Sequence, residues 1–217
     1  MEKVQRIIQA TNSPDPLMKE LAATYLEVLG SKAGNDILES MLVWATGREP
    51  KSADQKHGAD SKDGLVEAKP CKGKYSAHIS DDTPMCLSKA QKIPYCILCV
   101  TSENGQQIKW AAIVSYRVFD NARYKNICAR LELPQAEWPD VLPMDEAARK
   151  DILDKLVSAH KSKVYVRSNP LPLECLDGLP PSEYSVWISD ELAKKAKLNK
   201  EDTHILKLWK AQNLPTS

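Results

Sequence analysis

At 217 residues and 24.2 kDa the chain is long enough for one sizeable hydrophobic core, or for a main domain with a small appendage. Lys and Arg number 30 against 29 Asp and Glu, a formal charge of +1, which excludes a protein that coats nucleic acid through overall basicity but leaves room for a local basic groove. No run approaches the roughly eighteen apolar residues of a membrane span, and Met1-Glu2-Lys3 does not open like a signal peptide, so a soluble, cytoplasmic protein without a membrane partner is expected.

Ser13 as N-cap, Pro14 at the first helical position, and apolar residues at Leu17, Leu21, Tyr25 and Val28 before Gly30 predict an amphipathic helix. A second helix is predicted from about Asn35, with Ile37, Leu38, Met41, Leu42 and Ala45 on one side and Gly47 as its stop. Residues 48–56 are polar and read as a loop. Gly58-Ala59-Asp60, a turn at Asp63-Gly64, and Leu65-Val66-Glu67-Ala68-Lys69 closed by Pro70 then predict a β-hairpin.

Asp81-Asp82-Thr83-Pro84 opens a helix reaching about Lys92, followed by strands Tyr95 to Thr101 and Gln106 to Phe119 joined by Asn104-Gly105. Within the first strand Cys96 and Cys99 form a CxxC. A tetrahedral zinc site needs four ligands and this segment offers two, so the six cysteines read as reduced core thiols. A helix over about Asp145 to His160, a short strand at Val164 to Val166, a proline-rich loop and one or two short helices between Tyr184 and Gln212 complete the chain. The order predicts an α/β (mixed α+β) fold. It divides into residues 1–168 and a C-terminal segment, 169–217, with a DNA-reading or dimerisation role.

The hairpin carries the chemistry. A two-residue turn at 63–64 sets Lys62 opposite Leu65 and Asp60 opposite Glu67, with Cβ atoms about 4.5 to 5.5 Å apart. Two carboxylates at that distance repel unless protonated or bridged by a cation. Alternation puts Lys69 on the face of Glu67 and turns Val66 and Ala68 toward the core. Oxygen-only ligands suit a hard cation such as Mg²⁺, and the Ala68 carbonyl is a third candidate ligand. Such a site suits phosphodiester hydrolysis. The competing reading is a surface hairpin with solvated charges.

Asp60, the turn and Glu67-Ala68-Lys69 resemble the PD-(D/E)XK nuclease motif of type II restriction endonucleases and some repair nucleases, with Ala59 where the family pattern has proline. The resemblance covers roughly residues 33 to 118. It implies an αβββαβ core, a central mixed sheet flanked by helices, with a C-terminal helical extension. It also implies that Asp60 and Glu67 bind Mg²⁺ while Lys69 serves the attacking water. Glu49-Pro50-Lys51, Asp54-Gln55-Lys56 and Asp60-Ser61-Lys62 fit the same acid-x-lysine tripeptide, and only Glu67-Ala68-Lys69 lies in an apolar run with an acid opposite. Asp63 is the alternative to Asp60, and Glu39 on the preceding helix is a further candidate acid.

Residues 69–92 and 117–130 each carry a net charge of +3. Lys72, Lys74, Tyr75, His78, Lys89, Arg117 and Arg123 are the candidate DNA contacts. The segment from Asp190 through Trp209 looks somewhat like a helix-turn-helix, without glycine at its turn. The expected function is a Mg²⁺-dependent type II restriction endonuclease acting on double-stranded DNA as a homodimer. The alternatives are a structure-specific repair or junction nuclease, and a non-catalytic helix-turn-helix DNA-binding regulator.

Overall fold

The computed structural model describes residues 9–10, 12–20, 32–51, 59–79, 94–119, 132–137 and 169–213, with scattered positions between 122 and 155. The helix predicted after Asp81 and the strand predicted at 164–166 lie outside these residues. Helix α1 is Lys32–Ala45, and strands β1 to β6 are Val66–Lys72, His78–Ile79, Tyr95–Thr101, Ile108–Ser115, Asn169–Pro170 and Tyr184–Ile188. Two C-terminal helices follow, α2 at Asp190–Lys194 and α3 at Lys200–Asn213.

The fold is mixed α/β, with a four-stranded mixed sheet in the order β1-β3-β4-β6. β1 runs parallel to β3, with Glu67 beside Cys96 and Lys69 beside Leu98. β3 and β4 are neighbours joined by residues 102–107, too short a connection for a parallel crossover, so they form a hairpin. β4 pairs antiparallel with β6, Trp110 beside Ile188 and Ala112 beside Val186. β3 has the predicted bounds, whereas β4 stops at Ser115 and the chain turns into a 3-10 segment, Tyr116–Phe119.

One face of this sheet packs on α1. Leu38, Leu42, Val43 and Ala45 meet Val66, Ala68, Ile97, Cys99 and Ala111 in one buried cluster, with Ile113 and Trp187 against it. Alternation therefore places Glu67, Lys69, Cys96, Trp110 and Val186 on the other face. α1 ends where Gly47 takes a φ of +84°, a conformation that costs glycine nothing.

The chain forms two compact units. The first is Met1–Tyr75, Tyr95–Val114 and Gly178–Ser217, and the second is Ser76–Pro94 and Ser115–Asp177, in which β2 pairs antiparallel with β5. Tyr184–Ile188, expected within a helical tail, is instead a strand of the main sheet. Its sequence, Tyr-Ser-Val-Trp-Ile, alternates buried and half-buried positions, the pattern of an element with one face in the core.

Candidate metal and catalytic site

The predicted hairpin forms only in part. The Asp60 and Ser61 N–H groups both donate to the Val66 carbonyl, at 2.9 and 3.2 Å, so two residues oppose one as in a β-bulge. On its other side the Asp60 carbonyl accepts from the Lys51 N–H at 2.8 Å, and Ser61 bridges antiparallel to Pro50. Asp60 is thus held between residues 51 and 66 rather than squarely opposite Glu67. This corrects the expected cross-strand pairing: the turn needs a second residue against Val66, which moves Asp60 out of register.

The shift has a consequence for Asp60. Its Oδ2 accepts the Ala68 N–H at 2.6 Å. Among the described residues β1 is an edge strand, with β3 on one side only. A residue's N–H and C=O leave a strand toward the same edge, so the Ala68 carbonyl projects to the Asp60 side as well. The segment at Asp60 both covers the open edge of β1 and brings a carboxylate beside a backbone carbonyl.

Glu67 and Lys69 point into the face opposite α1. Glu67 is 8 % exposed, and its Oε1 pairs with the Lys69 ammonium. Its Oε2 is buried with no hydrogen-bond partner. Burial acts to depress the Lys69 pKa, but the Glu67 carboxylate, its hydrogen bond and the charge of Asp60 outweigh it and hold the ammonium above its ordinary value. Lys69 is therefore a cation at neutral pH, electrostatically coupled to both acids.

Asp63 has other work. Its Oδ1 accepts from the Ser61 hydroxyl at 2.7 Å and the Leu65 N–H at 3.1 Å, and its Oδ2 pairs with Arg48. The Ser61 hydroxyl above all holds the Asp63 carboxyl below its ordinary pKa; burial opposes it, and the Leu65 N–H and Arg48 add to the lowering. Asp63 closes the turn. Glu39 is half-buried on α1. Among the described residues no three His, Cys, Asp or Glu side chains form a ready ligand group. Asp60, Glu67 and the Ala68 carbonyl offer two carboxylates and one carbonyl, a number that suits an ion keeping several waters.

The DNA-contact candidates scatter. Lys72 and Lys74 are exposed around Gly73, whose φ is +68°. The Tyr75 ring packs 5.6 Å from that of Trp110, so it is a wall of the first unit rather than a free stacking platform. His78 is exposed in the second unit, with Nδ1 2.6 Å from the Ser76 carbonyl oxygen. Arg117 lies in the 3-10 segment, and Lys89 and Arg123 lie outside the described residues.

Sequence reasoning missed two participants. Cys96, fully buried, is the β3 neighbour of Glu67 on the same face; Cys99 faces the opposite side, where burial raises its thiol pKa, so the CxxC cannot act as one chelating pair. Ser61, also fully buried, accepts the Leu65 and Val66 N–H groups at 3.0 and 2.9 Å and so builds the turn. A serine two residues before Asp-x-Leu was the available signal for it. In comparisons with known proteins, no family model matches the chain and no curated protein sequence matches it.

Proposed function

We propose that this chain is a Mg²⁺-dependent endonuclease of the PD-(D/E)XK kind acting on double-stranded DNA, and within that class a type II restriction enzyme. The observation that carries the reading is the buried Glu67 Oε2 without a partner, beside an ammonium already committed to Oε1. A buried carboxylate oxygen left unsatisfied costs about 1 to 3 kcal/mol or more, and a cation is the partner that removes the cost. Asp60, Glu67 and the Ala68 carbonyl would hold that cation. When bound, Mg²⁺ supplies neutralisation of charge on the phosphate and an acidified water.

The chain's own residues supply the rest. Lys69, protonated and on the Glu67 face, hydrogen-bonds the attacking water or a phosphoryl oxygen and steadies charge as it develops. Asp60 is fixed by the Ala68 N–H, so its orientation does not depend on the ligand. One such site cuts one strand, so cleavage of both strands takes two copies of the chain.

Plasmid DNA with Mg²⁺ tests the reading. Discrete fragments support a restriction enzyme, whereas cutting confined to branched substrates supports the junction nuclease. Glu67→Ala and Lys69→Ala should each abolish cleavage with duplex binding retained. Cutting at the wild-type rate by either variant would remove this site from the mechanism.

A further inference from the structure

We infer that the outer stripe of α3 is a rail for the phosphate backbone of duplex DNA, a role that rests on the nuclease reading and extends it to a second surface. The exposed residues of this helix are Lys200, Thr203, Lys207, Lys210, Ala211 and Asn213. Positions 200, 203, 207 and 210 follow helical spacing, so the three lysines share one face. No acid interrupts it. Of the helix's two acids, Glu201 is half-buried, and Asp202 is 2 % exposed, bonded to Lys109 Nζ at 3.0 Å and to Trp110 Nε1 at 3.3 Å. Lys194, Lys195 and Lys197, all exposed, precede the helix, with Asp190 and Glu191 exposed on the turn before them.

The stripe suits phosphates first, since an ammonium meets a phosphate as a point charge whatever the sequence. Reading adenine needs an amide free to make paired hydrogen bonds. The two amides of α3 are used internally, Gln212 Oε1 by the Val186 N–H at 2.8 Å and Asn213 Nδ2 on the Trp209 carbonyl at 2.8 Å. It fits a protein partner poorly, because its exposed side chains include no large apolar anchor. From Lys200 to Lys210 the stripe runs about 15 Å, a length over which a duplex presents roughly nine phosphate charges.

Its placement is set by β4 and β6. The Tyr184 hydroxyl donates to the Leu208 carbonyl at 3.5 Å, and Trp110 bonds Asp202. Both side chains belong to the sheet face opposite α1, which also carries Glu67 and Lys69. α3 also closes the β6 edge, where the Gln212 side-chain oxygen accepts the Val186 N–H, so a duplex reaching from β1 to α3 crosses the width of the sheet.

The test is duplex binding by the full chain with Ca²⁺ in place of Mg²⁺, across a salt series, for the wild type and for Lys200→Gln/Lys207→Gln/Lys210→Gln. Each lost phosphate contact lowers the slope of log K against log salt by about 0.9. The triple variant should lose about two to three in slope, equally on duplexes of different sequence, while Lys155→Gln stays at wild-type values. An unchanged slope, a loss confined to one sequence, or no duplex binding by the wild type overturns the rail. Wild-type binding and the expected slope loss, without any cleavage in Mg²⁺, would retain the rail and reject the nuclease.

Discussion

The Lys69 ammonium engages one oxygen of the Glu67 carboxylate and leaves the other buried and unpartnered. A cation that binds this oxygen binds the folded chain alone, so it must raise stability by mass action. Mg²⁺ or Mn²⁺ at a hundredfold excess over its dissociation constant should stabilise the wild type by about 2.7 kcal/mol. Glu67→Gln should melt at a temperature independent of the ion. A thermal melt series with and without EDTA measures both, and equal ion-dependent shifts in the two proteins would sink the site.

Lys69 gives a pH signature of stated sign. Its folded pKa lies above its ordinary value, so its contribution to stability is fully present below the unfolded pKa of about 10.4 and is lost as pH rises through the folded pKa. Denaturant midpoints should therefore fall at alkaline pH. In Glu67→Gln the principal attraction is gone and burial pulls the ammonium the other way, so the lysine should titrate at lower pH than in the wild type. Side-chain NMR of labelled lysine reads this directly, and no downward movement would contradict the pairing.

Asp60 separates geometry from charge. Asp60→Asn keeps an oxygen for the Ala68 N–H, so it should cost less than about 1 kcal/mol of stability while removing the acid and, with it, cleavage. Asp60→Ala loses the hydrogen bond as well and should cost about 1.5 to 3 kcal/mol. Urea unfolding beside a cleavage assay distinguishes the two. Full activity in Asp60→Asn would show that the carboxylate's charge is not used.

The Lys109 and Asp202 pair ties α3 to β4. Lys109→Met leaves Asp202 with a buried charge and the Trp110 N–H as its remaining named partner, and should cost about 3 kcal/mol. Lys109→Met/Asp202→Leu removes both charges and should recover much of that loss. A double-mutant cycle by urea denaturation gives the coupling, and additive losses would show that the pair is not coupled.

The chain order of residues was enough for some elements and not for others. β3 was legible to the residue because Tyr-Cys-Ile-Leu-Cys-Val is a short apolar run bounded by Pro94 and a turn. β6 was not, because its alternation occupies only Tyr184 to Ile188 and sits between prolines and a helix cap at Ser189. The Asp60 register was misjudged for a related reason. Spacing across a turn assumes a regular ladder, and the bonds from Asp60 and Ser61 to one carbonyl are a tertiary outcome of the 48–51 segment lying alongside.

By itself the sequence determined which groups are available: acids at 60 and 67, a lysine at 69 on the second acid's face, and apolar residues at 66 and 68 that must turn inward. A strand's period of two fixes those relations whatever the strand pairs with. Only the tertiary structure decided the rest. It put β1 at an open edge, gave the Ala68 N–H to Asp60, and left one Glu67 oxygen without a partner. It also set α3 against β4 and β6, through Trp110 and Tyr184. Those facts depend on which distant segments cover each edge and face, and no local period encodes that.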